Sequence, residues 1–273
     1  MARGVTAVGS EQMRDPGSWA KEEDTHRQSA GVKSARRVIE ILELFDRFQE
    51  PLSLTELSNH LGYPPSSTLA LLKSLQTLDY VSFDPAEKKY CPTMRVAMLG
   101  EWVQGQLFKD GAIIALMTQL QEEVGETIML AVQNDIYAQY IHTVQSRELL
   151  RYYLKPGLLR PICRSAVGLA LLSMQTNDRI RKLVKRIEAR SGNPTDIVPF
   201  EVVLAEVERV RSRGYAYSDQ ITERVSAVAI PLPAKGSQPP MALGVGGPTH
   251  RLEPRVEKVV ALMNRLVQTS LSE

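Results

Sequence analysis

Between Pro51 and Val81 the chain reads PLSLTELSNHLGYPPSSTLALLKSLQTLDYV, and the punctuation of this stretch leaves few folds open. Ser53 followed by Glu56 has capping-box spacing, so a helix is expected from about Leu54, with Leu54, Leu57 and Leu61 on its buried side. Gly62 can end that helix in the left-handed conformation. Tyr63-Pro64-Pro65 cannot continue it, because proline disfavours the α conformation of its predecessor. A second helix is expected from Pro65 or Ser66. Thr68, Leu71, Leu72, Leu75 and Leu78 recur at helical spacing as its core stripe, which leaves Ser66, Ser67, Leu69, Ala70 and Lys73 off the stripe. Two helices joined by a tight turn, the second starting with small polar groups, suit a DNA major groove. An ordinary helical hairpin has the same pattern.

The flanking residues favour the DNA reading. Upstream, Ser34 is positioned to cap a helix whose stripe is Val38, Ile39, Leu42 and Phe45, giving a three-helix unit. Downstream, Tyr80–Phe83 and Lys89–Pro92 read as two short strands around an Asp84–Lys88 turn. The result is a winged helix-turn-helix. Lys88 and Lys89 fall where a wing meets the phosphate backbone, a contact that adds affinity and salt dependence without reading sequence.

Ser34-Ala35-Arg36-Arg37-Val38, the LTEL and LGYP segments, Ser66-Ser67-Thr68 and the LxxLxxLDYV ending together resemble the isocitrate lyase regulator (IclR) family of bacterial transcription factors, over roughly residues 32 to 270. Residues 1–30 carry no helical or strand period and read as a disordered tail; for the rest, the resemblance implies an α+β chain of a winged helix-turn-helix (31–93), a linker helix (94–109) and a GAF-like effector-binding domain (110–273). It also implies operator DNA as partner, a small-molecule effector, and a homodimer or dimer of dimers. A dimer suits the DNA task, since two recognition helices about 34 Å apart read successive major grooves.

Composition is compatible with this and does not announce it. The chain of 273 residues, 43% hydrophobic with a formal charge of +2, has material for one or two cores. Residues 31–110 hold nine Lys/Arg against ten Asp/Glu, so any DNA footprint is a local patch that Arg36, Arg37, Lys73, Lys88 and Lys89 would have to share. Residues 1–30 carry four basic and five acidic residues, which argues against a basic arm. Cys91 and Cys163 form no CxxC pair, and no metal or other cofactor is expected. No run of eighteen apolar residues and no signal-peptide core occurs, so a cytoplasmic protein without a membrane partner is expected.

Beyond Asp110 the pattern alternates. Helices are expected over Ile113–Val124, Ser165–Ser173, Asp178–Arg190, Phe200–Arg213 and Arg255–Leu271. Strands are expected over Thr127–Gln133, Tyr137–Val144, Leu149–Leu154, Val225–Leu232 and Met241–Val245. The basic Asp178–Arg190 run reads as a solvated helix face. No Walker loop, nucleophile elbow, dinucleotide fingerprint or HExxH motif is present, and the Gly244–Pro248 run reads as a strand end. Binding without turnover is the expectation. A small-molecule enzyme and a protein-docking module built on the winged helix are the alternatives.

Through the resemblance, the effector pocket falls at the run Cys163-Arg164-Ser165-Ala166-Val167-Gly168-Leu169, which lacks the family's frequent histidine and lysine and has Arg164 as a new residue. A helix N-terminus there attracts an anion, and Arg164 is a candidate clamp or a solvent-facing arginine. The family's frequent pocket cysteine corresponds to Ala227, two small polar positions to Gly244 and Gly246, and a pocket acid to Asp219. Fewer polar partners and more room imply a larger effector, aromatic or carboxylate-bearing, against Met129, Tyr152 and Tyr217. On the recognition helix, Leu69-Ala70 suits a thymine methyl and cannot read guanine, so an A·T-biased or shape-read operator, controlling a catabolic or efflux operon, is expected.

Overall fold

A computed structural model describes residues 32–107, 111–149, 151–190, 197–234 and 238–271. The expected tail over 1–30 lies outside them. Chain contacts divide the protein into two compact units between Gly105 and Gln106.

The first unit comprises α1 (Lys33–Phe48), β1 (Leu52–Ser53), α2 (Leu54–Leu61), α3 (Pro65–Thr77), β2 (Val81–Asp84) and β3 (Lys89–Pro92). The strands form a three-stranded sheet in the order β1-β3-β2. Ile41, Leu44, Phe45, Leu57, Leu72 and Leu75 from the helices meet Leu52, Val81 and Tyr90 from the sheet in one small core. Three local expectations shift. Val32, not Ser34, is the N-cap of α1, and Ser34 lies inside its first turn. Ile39 is exposed, because two residues turn a helix by about 200° and Ile41 holds the buried side. Leu78 is also exposed, being the C-cap of α3 where the chain leaves the core.

Helix α4 (Met94–Leu107) carries the chain from one unit to the other. Met94, Met98 and Leu99 on it are exposed.

The second unit contains α5 (Ala112–Val124), β4 (Thr127–Asn134), β5 (Tyr137–Val144), β6 (Leu159–Pro161), α6 (Ala166–Ser173), α7 (Asn177–Arg190), α8 (Phe200–Arg213), β7 (Ala216–Thr222), β8 (Val225–Leu232), β9 (Met241–Pro248), α9 (Thr249–Leu252) and α10 (Val256–Leu271). The six strands form one antiparallel sheet in the order β6-β5-β4-β9-β8-β7. Strand alternation sorts large from small side chains between its two faces. Ile128, Leu130, Val228, Ile230, Leu243 and Val245 pack with α5 and α10 on one face. Ala131, Ala138, Ala227, Ala229 and Ala242 form the other, against α6. The small residues let α6, buried from Ala166 to Leu172, lie close on the sheet.

The segment expected as a strand over Leu149–Leu154 is irregular over residues 151–154. Side chains of β5 and its extension take the place of ladder bonds there: Leu154 O accepts from Thr143 Oγ1 at 3.2 Å, and Leu154 N donates to Gln145 Oε1 at 3.3 Å. Strands β6 and β7 were not legible. β9 runs on through the glycine run to Pro248, and the one-turn α9 follows directly. The basic run of α7 buries Ile180, Leu183 and Val184, while Arg186 and Arg190 pair with Asp135 in the β4–β5 turn, as a solvated helix face would.

Candidate functional site

In the first unit the turn between α2 and α3 is held from both sides. Ser53 and Glu56 form the capping box, with Glu56 N donating to Ser53 Oγ at 3.3 Å and Ser53 N to Glu56 Oε2 at 2.7 Å. Gly62 ends α2 at φ 67°, where a side chain would be strained. Tyr63 then donates its hydroxyl to Glu40 of α1, and the Arg37 guanidinium lies 4.4 Å from its ring centroid. Arg36 pairs with Glu40 at 3.4 Å. Arg37 and Glu40 thus brace α1 against the turn, with Arg36 beside Glu40 on the same helix; both arginines are half-buried.

Thr68, Leu72 and Leu75 anchor α3 in the core. Ser66, Ala70 and Lys73 are exposed on its outer side, with Ser67 and Leu69 half-buried at the edges. Ser74 and Thr77 share the exposure, a feature the sequence reading passed over although they follow Ala70 and Lys73 by four residues. Their hydroxyls donate back to Ala70 O and Lys73 O, at 3.0 Å and 2.9 Å, which leaves oxygen lone pairs outward. In the wing, Asp84 Oδ1 accepts from Ala86 N at 2.8 Å and so shapes the turn. Lys88 is exposed at its tip with φ 55°, and Lys89 is half-buried opposite Ser53 and Asp84.

In the second unit, a cavity opens between the start of α6 and the small-residue face of the sheet. Met129, Tyr140, Tyr152, Arg160, Ser165, Ala166, Val167, Ser218, Thr222 and Ala227 are among its lining residues. Ser165 is the N-cap of α6, its Oγ accepting from Gly168 N at 3.2 Å. That leaves the amides of Ala166 and Val167 as helix-start donors without an intrahelical acceptor. Tyr152 closes one side: its hydroxyl lies 2.9 Å from Thr222 Oγ1, and Thr127 Oγ1 donates to its carbonyl at 2.8 Å. The space open to a water centre is about 30 Å³, enough for about two waters and not for an aromatic ring.

Of the residues expected at the effector pocket, Met129, Tyr152, Ser165, Ala166, Val167 and Ala227 meet at one cavity. The other five do not line it. Tyr217 is opposite Val228, whose side chain belongs to the face packed by α5 and α10, so alternation turns it away. Asp219 is exposed, one residue past the lining Ser218. Arg164 is half-buried outside the lining, and its carbonyl accepts from Ser218 Oγ at 2.5 Å. Gly244 and Gly246 face this side but create no free room. A Cβ on Gly244 would stand 2.9 Å from Met129 Cγ, and one on Gly246 would stand 2.7 Å from Met129 Cε. The glycines accommodate the methionine.

Sequence reasoning missed Tyr140, Arg160, Ser218, Ile221, Thr222, Val225 and Ser226 among the lining residues. Arg160 lies between Leu159 and Pro161 on a three-residue edge strand, and nothing local marks it as buried. Burial pushes the Tyr140 phenol up to about 12, so it is neutral at ordinary pH. Cys163 is likewise raised to about 12 by burial and has no thiolate character. His142 is lowered by burial alone, and no group of three metal-ligating side chains occurs among the described residues. No helix among them is long and apolar enough to cross a membrane.

A winged helix joined through one helix to a helix-covered sheet is the two-part plan of a DNA-binding transcriptional regulator, and the family comparison agrees. Residues 34–85 match the IclR helix-turn-helix domain, and residues 112–271 match the bacterial transcriptional regulator IclR C-terminal domain; the chain belongs to the IclR family. Among curated relatives, the HTH-type transcriptional regulator KdgR of Escherichia coli is 26% identical over 88% of this chain and 92% of its own length. The probable transcriptional regulator SauR of Cupriavidus necator is 28% identical over 83% and 89%. The Thermotoga maritima IclR structure superposes with a TM-score of 0.67 at 18% identity, covering 85% of this chain and 95% of that one. An IclR homolog from Microbacterium hydrocarbonoxydans, complexed with 4-hydroxybenzoate, superposes with a TM-score of 0.61 at 16% identity, covering 86% and 99%. These relatives are regulators, which sets aside the enzyme alternative.

Proposed function

We propose that this regulator is ligand-responsive: a small aromatic or carboxylate-bearing metabolite enters the cavity beneath α6 and changes the affinity of the winged helix for its operator in front of a catabolic or efflux operon. The observation that carries the reading is the cavity itself, which gathers helix-start amides, two tyrosine hydroxyls and a displaceable methionine at one end of a closely packed sheet. The 4-hydroxybenzoate held by the Microbacterium homolog supports an effector of that size.

On the DNA side, Ser66, Ser67, Leu69, Ala70 and Lys73 of α3 read the major groove, while Lys88 and Lys89 meet phosphates from the wing. The domains are taken as a DNA-binding part over 31–93, a linker helix over 94–109 and an effector part over 110–273. The protein acts as a homodimer or dimer of dimers, and the exposed Met94, Met98 and Leu99 of α4 support α4 as a subunit contact. Because α4 joins the two units, a ligand that favours one arrangement of the pair shifts the population fit for the operator.

The test is an anisotropy titration on DNA from upstream of its own and neighbouring genes, with sedimentation in parallel. Sequence-selective binding by a dimer, weakening steeply with salt, is expected. Salt-insensitive or non-selective binding at all concentrations contradicts it.

A further inference from the structure

Arg160 is 3% exposed and lies in the cavity wall. Its Nη2 donates to Tyr152 Oη at 2.6 Å, and its guanidinium carbon stands 5.9 Å from the ring centroids of both Tyr140 and Tyr152. Its Nε is buried and has no hydrogen-bond partner. Among the described residues no carboxylate reaches it within 4.0 Å, and no acidic residue lines the cavity. A guanidinium does not shed its proton in a protein, so it cannot relieve burial by becoming neutral. Tyr140 is no counter-ion, since its phenol is held neutral. The site therefore contains a fixed, desolvated positive charge with hydrogen-bond capacity unused, beside the start of the eight-residue helix α6. Both features attract the same sign of ligand.

We propose that Arg160 is the charge anchor of the effector site: it pairs with the carboxylate of a monocarboxylate ligand, assisted by the Ala166 and Val167 amides, while the ligand's apolar body takes the place of the Met129 side chain over Gly244 and Gly246. Methionine is suited to that yielding role, being unbranched with three rotatable bonds. The proposal rests on the ligand-responsive reading above and adds the ligand's chemical class and the residue that selects it. It also moves the anionic clamp from Arg164, which is outside the lining, to Arg160.

Calorimetry on the full chain would compare benzoate, 4-hydroxybenzoate and pyruvate with the neutral isosteres benzamide and 4-hydroxybenzamide, for wild type, Arg160→Met and Arg164→Met. At least one acid is expected to bind on the order of 100-fold more tightly than its amide in wild type. That preference should vanish in Arg160→Met and survive in Arg164→Met. The wild-type comparison requires no variant to fold, and selective DNA binding by ligand-free Arg160→Met reports that this variant is native. Equal binding of acids and amides, no acid binding at all, or an acid preference retained in Arg160→Met overturns the anchor while leaving DNA recognition untouched. Loss of selective DNA binding by wild type instead strikes the regulator reading.

Discussion

Gly168 shows how one residue without a side chain can place a site. A Cβ there would stand 2.1 Å from the Ile162 carbonyl oxygen and 2.6 Å from its Cα, so α6 can approach the end of β6 only with glycine at this crossing. That approach carries the Ala166 and Val167 amides and Arg160 to one cavity. Gly168→Ala should lower the unfolding free energy of the second unit by about 1–3 kcal/mol, read from its denaturant midpoint, since backbone and not a flexible side chain must move. An unchanged midpoint would contradict that packing. Glu56 offers a different test. Hydrogen bonds from the Ser53 amide and then the Ser53 hydroxyl hold its carboxyl below the ordinary 4.5. A folded value beneath the unfolded one means the contribution is complete above the unfolded value and is lost as pH falls through the folded one. Glu56→Gln should therefore be less stable than wild type at about pH 7, by a gap that narrows as pH falls through the folded value, read from thermal melts. A gap that stays constant with pH would show that the capping box is not the cause. Ser53, Glu56 and Gly62 were legible in the sequence because their interactions span four residues or fewer. Tyr217 was misplaced because the face it occupies is set by pairing with Val228 across the sheet, which no local pattern reports.

At the scale of the element, the short irregular run before β6 and the edge strand itself explain what was misread. Within residues 151–154, side chains of Thr143 and Gln145 tie Leu154 and that of Thr127 ties Tyr152 in place of a ladder, so the segment's apolar pattern resembled a strand it does not form. β6 is three residues long and ends in proline, which suits a sheet edge and hides it from any periodicity. The same shortness concealed Arg160, whereas α3 was legible because thirteen residues repeat one stripe. That helix carries its own prediction. Lys73 is exposed on the outer face, with its ammonium free to approach a phosphate, while Leu69 and Ala70 present methyl groups. Lys73→Ala should weaken binding to every DNA sequence alike and reduce the logarithmic salt slope by about 1. A change in base preference with an unchanged salt slope would assign Lys73 to base reading instead.

For the whole molecule, the family and the two-part plan were legible because several motifs occur in order along most of the chain; the contents of the effector cavity were not. Absent polar residues at Ala227, Gly244 and Gly246 implied room, but Met129, whose side chain reaches across from the neighbouring strand, fills it. The charge count of residues 31–110, nine basic against ten acidic, leaves the electrostatic share of DNA affinity to a few placed cations, whose number the proposed dimer would double. The proposed coupling is that occupancy of the cavity is felt at the DNA. It is tested most directly by operator affinity measured at two salt concentrations while an acid bound in calorimetry is titrated in. Operator affinity should shift by about 5- to 150-fold at saturation, in either direction, with non-specific DNA affinity unchanged. Saturation of the cavity with no change in operator affinity would contradict it.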